Sequence, residues 1–450
     1  MQVHRIFLAA AALMFALLTA PPALAIAPPT IDPGAVPPDV TGPDQPLEQR
    51  RVCTAPLALP VTKFHDPPWA NAYLGIGEAH RFATGAGVTV AIIDTGVDAS
   101  ARVPAEPGGD FVMKTGDGLS DCDAHGTLTA SIIAGRPALI DGFVGVAPDA
   151  RLISVRQTSG AFEAKDNQAN QNDPNATPAA GSIRSLARAV VHAANLGASV
   201  INISEAACFK VRMPVDESTL GAALNYAVNV KGAVIIAAAG NAGGDCAQNP
   251  LPDPSLPADP RGWQQVQTIV TPAWYSPLLL AVGGVGQNGA PSQFSMRGPW
   301  VGAAAPAENI TALGPGGEPV DALPGKDGPV PIAGTSFAAA YVSGLAALLR
   351  QRFPELTPAQ ILNRITATAR HPGGGVDDAV GAGPINAVAA LTWDIPAGPA
   401  TVPFSVKRIQ PPVATPGPDH GPVTGVALGV VGLLLGLGLA ALAGRALRRQ

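Results

Sequence analysis

Apolar residues fall along this chain in two rhythms. The runs VTVAIID (88–94), RLISVR (151–156), ASVINIS (198–204), AVIIAAAG (233–240) and LLLAVGG (278–284) are nearly continuous, as strands buried on both faces are. Between them, SIRSLARAVVHAANLG and DESTLGAALNYAVNVKG repeat their apolar positions every three to four residues, the period of a helix. Strands of that kind separated by helices predict an α/β fold: a mostly parallel sheet with helices on both faces, in one domain over 65–395.

Polar and proline-rich stretches break the pattern. Residues 26–64 carry no hydrophobic period and predict an extended N-terminal arm. Residues 157–182 hold too little apolar content to pack and predict a mobile surface loop. A proline-laden insertion over 248–265 has one aromatic anchor, Trp263, and residues 396–423 predict a semi-rigid tether.

Each end carries a further apolar run. IFLAAAALMFALLTA follows His4 and Arg5 and precedes Ala23 and Ala25 in small-x-small spacing, which predicts a signal peptide over 1–25 cleaved after Ala25. The alternative, an uncleaved membrane helix, needs a longer run. At the other end GVALGVVGLLLGLGLAALAG predicts a transmembrane helix over 424–444, with a buried soluble helix as the alternative. Arg445, Arg448 and Arg449 in the tail 445–450 belong on the cytoplasmic side, so the domain between the two runs lies outside the cytoplasm, anchored to the cell membrane by a single span.

Composition narrows the classes. With 47% hydrophobic and 14% charged residues in 450 positions the chain can bury a large core, and a net charge of -5 without a basic stripe gives no reason to expect nucleic acid as a partner. Cys53, Cys122, Cys208 and Cys246 all lie in the exported part, where disulfides persist, and three pairings are open. No Cys-x-x-Cys spacing or histidine cluster suggests a metal, and no cofactor is expected.

Candidate chemistry sits at the ends of the strands, where open α/β sheets bind ligands. Asp94 closes the apolar run 88–94, His125 precedes a short helix of small residues, and Ser336 opens the apolar helix in GTSFAAAYVSGLAALL. Taken singly, Asp94 reads as a turn or capping aspartate, His125 as a solvated or core histidine, and Ser336 as a helix cap. Jointly they supply what acyl transfer requires: an alcohol that is a weak nucleophile alone, an imidazole to take its proton, and a buried carboxylate to fix the imidazole tautomer. A helix start at Ser336 also aims a free N–H and the positive end of a dipole at a developing oxyanion. Asn241, at the end of AAAGN, offers a second oxyanion donor or an ordinary turn.

The motifs AIIDTGVD, HGT, AAAGN and GTSFAAAYVSG, in the order Asp, His, Asn, Ser, resemble those of the subtilase serine proteases. The resemblance implies triad roles for Asp94, His125 and Ser336 and an oxyanion role for Asn241. With the export signal, the C-terminal span, the cysteines and the arm, the chain is similar to the mycosins, membrane-anchored subtilases of actinobacterial type VII secretion systems. That implies cleavage of secreted proteins and partnership with the secretion-system membrane complex. An alternative is a chiefly structural role in that complex.

Two departures alter the expectation. Ala340 stands where many subtilases have proline, and alanine fits a helix better. SEAA (204–207) stands where many have Ser-Leu-Gly-Gly along the substrate strand. Methyl groups at Ala206 and Ala207, with a charge at Glu205 beside Ser204, predict a narrow pocket that takes small side chains before the cut. The arm is short for a folded inhibitory propeptide, which makes autoactivation doubtful. Cys208 and Cys246 lie just past the carboxyl ends of two runs that read as neighbouring strands, so a Cys208–Cys246 bond is expected, which leaves Cys53 for Cys122. GVGQNG (284–289) matches a dinucleotide fingerprint, but no helix is expected behind it to hold a pyrophosphate. NAT at Asn175 is a chance glycosylation acceptor.

Overall fold

The computed structural model describes residues 26–165 and 179–402, apart from Arg212, Pro214 and Pro257. The expected signal peptide, transmembrane helix and cytoplasmic tail, most of the tether, and Asn175 lie outside the described residues. Among the described residues no helix is long and apolar enough to cross a membrane.

Seven strands form one parallel sheet: β1 (Thr89–Asp94), β2 (Ala105–Asp110), β3 (Arg151–Arg156), β4 (Val200–Ile203), β5 (Val234–Ala238), β6 (Leu280–Val285) and β7 (Val301–Pro306). Their spatial order is β7-β6-β5-β4-β1-β3-β2, with β1 paired from Thr89↔Arg151 to Asp94↔Arg156 on one side and from Val90↔Val200 to Ile93↔Ile203 on the other. Side chains alternate between two cores, as the strand period of two requires. Val90 and Ile92 join the core under α1 (His125–Ala134), while Ala91 and Ile93 join the one under α2 (Ile183–Asn195) and α3 (Ser218–Asn225).

The helix α4 (Thr335–Arg352) belongs to the first core and is buried on every side from Thr335 to Leu349. A helix without a polar face must run through the interior, and its small residues let neighbours approach closely. At Gly344 an added Cβ would meet Val146 Cβ at 2.5 Å. In contrast α2 is amphipathic and opens on a capping box at Ser182.

The N-terminal arm is extended and is tied to the domain at several points. Ile31 is buried in the second core, Asp39 accepts from His192 Nδ1 at 2.6 Å, and Asp44 pairs with Arg188 at 2.5 Å. Farther along, Leu47–Gln49 pairs antiparallel with Ser159–Ala164, and Leu57 bridges to Ala322. This corrects the reading of 157–182 as an unpacked loop. Its first part is a strand with Ala161 and Ala164 buried, because the arm supplies a hydrogen-bonding edge that no local period reveals. In the insertion, Trp263 packs edge-on against the buried Trp300 with ring centres 6.0 Å apart.

Candidate active site

The chain passes from β3 across β1 to β4, so the strand order reverses at β1 and opens a crevice beyond its carboxyl end. Asp94 is the last residue of β1 and its side chain is fully buried. His125 is the first residue of α1, and its Nδ1–H donates to Asp94 Oδ1 at 2.7 Å. Just before it, Ala124 holds a left-handed backbone with φ 61°, which costs a non-glycine residue about 1 kcal/mol and is kept only where surroundings enforce it.

Asp121, which sequence reasoning did not single out, does the enforcing. This buried carboxylate accepts from Thr95 Oγ1 at 2.8 Å, from Thr127 N at 2.8 Å and from Thr127 Oγ1 at 2.6 Å. Thr95 Oγ1 in turn accepts from Gly126 N at 2.9 Å. The turn after β1 is thereby tied to the first turn of α1, which sets the His125 ring on Asp94. Its weak signal in the sequence was an acid four residues ahead of the histidine.

Ser336 is the second residue of α4, and its Oγ donates to the backbone carbonyl of Ser204 at 3.0 Å. Asn241 lies just beyond β5, where its Oδ1 accepts from Thr335 N at 3.0 Å and from Thr335 Oγ1 at 3.1 Å. Asn241 therefore caps the helix, its Nδ2 is left beside Gly334, and the Ser336 N–H stays among the first-turn donors that have no acceptor within a helix. Phe337, the next residue, packs on the His125 ring at 5.4 Å between centres. The histidine–aspartate pair and the start of α4 thus meet at one rim of the sheet.

Charge on the imidazole dominates the site. Burial opposes it, yet the Asp94 carboxylate, through its charge and its hydrogen bond, together with the charges of Glu205 and Asp121, pushes His125 up from 6.5 to about 10. Burial pushes Glu205 up to about 7, assisted by Asp94, Asp123 and Asp121 and opposed by His125, and it pushes Asp121 up to about 6. A protonated imidazole has no lone pair for the serine proton, which fits the Ser336 hydroxyl bonding to Ser204 instead.

Ser204, Glu205 and Ala206 run along this rim beyond β4. Ser204 Oγ accepts from Asn202 Nδ2 at 2.7 Å, and Asn202 Oδ1 accepts from Ser343 Oγ of α4 at 2.8 Å, which fixes the segment to α4. Beside it lies a cleft of about 480 Å³ lined by Gln157, Thr158, Glu205, Ala206, Ala207 and Asp245 among others. The disulfide Cys208–Cys246 ties this segment to the loop after β5, and Cys53–Cys122 ties the arm beside Asp121. Asp94, His125 and Glu205 are the one grouping among the described residues with metal-ligand atoms within 4.8 Å of each other. The GVGQNG stretch leads into a turn, with no helix N-terminus behind it.

A family model described as the subtilase family matches residues 85–383. The chain is 75% identical to Mycosin-1 of Mycobacterium tuberculosis over 99% of its own length and all of that protein. The crystal structure of MycP1 from Mycobacterium smegmatis superposes with a TM-score of 0.83 at 71% identity, covering 85% of this chain and 100% of that one. A chain in an intact ESX-5 inner membrane complex matches with a TM-score of 0.79 at 46% identity, covering 94% of this chain and 100% of that one. On this match of motif order, fold and whole-length identity, the chain belongs to the subtilase family of serine proteases and, within it, to the mycosins.

Proposed function

We propose that this protein is a membrane-anchored serine endopeptidase that cuts secreted proteins in association with a type VII secretion complex, and that Asp94, His125, Asn241 and Ser336 carry the chemistry. The observation that carries the reading is the buried Asp94–His125 hydrogen bond facing a helix start whose capping is done by Asn241, leaving the Ser336 hydroxyl free of that task. Once neutral, His125 takes the Oγ proton as Ser336 attacks the scissile carbonyl, then returns it to the leaving amine. The imidazolium formed in between rests on Asp94. The tetrahedral oxyanion is held by the Ser336 N–H and Asn241 Nδ2. Water then repeats the sequence on the acyl enzyme. Purified full-length enzyme carrying Ser336→Ala should lose peptide cleavage by at least about 10³-fold; an undiminished rate would end the reading.

The substrate strand is Ser204–Ala206, and the methyl groups of Ala206 and Ala207 favour small side chains before the cut. Good cleavage after phenylalanine in a peptide library would contradict this. The span over 424–444 holds the domain on the extracytoplasmic face of the cell membrane, which extraction of the membrane fraction at alkaline pH tests: the protein should stay with the lipid.

A second reading is favoured by the match to a chain of the intact ESX-5 inner membrane complex: the body serves mainly to stabilise the secretion complex. If Ser336→Ala leaves secretion unchanged while deletion of the protein abolishes it, the structural role is primary.

A further inference from the structure

A ring nitrogen of His125, a carboxylate oxygen of Asp94 and a carboxylate oxygen of Glu205 lie within 4.8 Å of one another. Asp94 arrives from the end of β1 and His125 from the start of α1. Glu205 comes from the segment beyond β4, the strand paired with β1 from Val90↔Val200 to Ile93↔Ile203. Other acids act on the same cluster, Asp121 and Asp123 from the loop before α1, and Asp245 lines the cleft that Glu205 borders. Among the groups that act on Glu205 or line the cleft, His125 is the one cation.

An imidazole with two carboxylates close by is held as a cation by both of them. One partner would orient the ring; a second adds charge stabilisation that the orienting role does not need. We propose that Glu205 is a positioning residue for His125: resting on the reading above, its carboxylate, within 4.8 Å of the cluster, adds to that of Asp94 in holding the imidazole cation and so shifts the pH at which the base becomes available to Ser336. The Ser336 hydroxyl is found as this requires, donating to the Ser204 carbonyl, one residue from Glu205. Burial and the neighbouring acids raise Glu205 itself to about 7, so its grip on the imidazole tightens above neutral pH. The same residue thus borders the substrate strand and the base. A peptide laid along Ser204–Ala206 that draws the Glu205 carboxylate away would lower the pH at which the base is freed.

The test is the pH dependence of the rate at which a fluorophosphonate labels Ser336 in the full-length chain, since that rate needs the neutral imidazole and no peptide substrate. In Glu205→Gln the acid limb should move to lower pH by about one unit, which raises labelling on that limb about tenfold relative to the variant's own plateau. Glu205→Asp retains the charge and should leave the limb nearer its original place. A purely structural side chain would lower the rate at every pH and leave the limb unmoved in Glu205→Gln; that result overturns the proposal while the protease reading stands. If Ser336 in the unaltered chain is not labelled at any pH, both fall together.

Discussion

Two serines in this molecule stand at the starts of two helices and do opposite things. Ser182 opens α2 and gives its hydroxyl to its own helix, accepting from Ser185 N at 3.0 Å in a capping box. Ser336 opens α4 and does not cap it; Asn241, from beyond a different strand, accepts from the helix at Thr335 instead. Handing the cap to a neighbouring element frees the Ser336 hydroxyl for chemistry. It also puts the Asn241 amide beside the place where an oxyanion would form. What points to Ser336 as the proposed nucleophile is therefore the neighbour that relieves it of capping, together with the His125–Asp94 pair facing it.

The largest effect that could break this contrast is the loss of the Ser336 hydroxyl. Ser336→Ala should reduce peptide hydrolysis by at least about 10³-fold with only a small fall in melting temperature, because the bond to the Ser204 carbonyl is lost but no helix cap is. Next comes Asn241. Asn241→Asp retains an acceptor for Thr335 but no amide donor, so kcat should fall about 10²- to 10³-fold, the range seen for an oxyanion-hole asparagine in subtilisin, with little change in stability. Asn241→Ala should lose both the donor and the cap, lowering stability by about 1 kcal/mol as well. Denaturant unfolding alongside kinetics separates the two functions.

Smaller effects follow from pH. His125 must be neutral to act, so activity should be lost as pH falls, with the acid limb above 6.5 because the folded value is raised toward about 10. A limb at or below 6.5 would show that Glu205 and Asp94 do not act on the ring as the geometry indicates. The same shift carries a stability consequence: the charged His125–Asp94 pair stabilises the fold fully below about 6.5, and that contribution is lost as pH rises through about 10. In the Ser336→Ala background the melting temperature should decline across that window, and Asp94→Asn should flatten the decline. The smallest effect belongs to Ser182→Ala, which should cost about 1 kcal/mol of stability and leave the hydrolysis rate as it was.

What the amino-acid pattern revealed follows from where burial is two-sided. β1, β3, β4, β5 and β6 carry runs of branched apolar residues because both faces are covered, and those runs were legible. The strands that escaped notice, β2 (AEPGGD) and β7 (VGAAAP), are the two edges of the sheet, built from glycine, proline and alanine that carry no strand period. Asp94, His125, Asn241 and Ser336 were legible because each sits where an apolar run ends or begins. Asp121 was not, since its role exists only through bonds to Thr95 and Thr127 that folding brings together. Glu205 was visible as a charge on the substrate strand. Its approach to His125 depends on β4 lying against β1, which no local stretch encodes.

The proposed mechanism requires Ser336 to be the activated hydroxyl, and the site of covalent modification tests that directly. After treatment of the full-length chain with a fluorophosphonate, peptide mapping by mass spectrometry should find the adduct on Ser336, and it should vanish in His125→Ala. An adduct on Ser182 or another serine, or labelling of Ser336 at the same rate without His125, would contradict it.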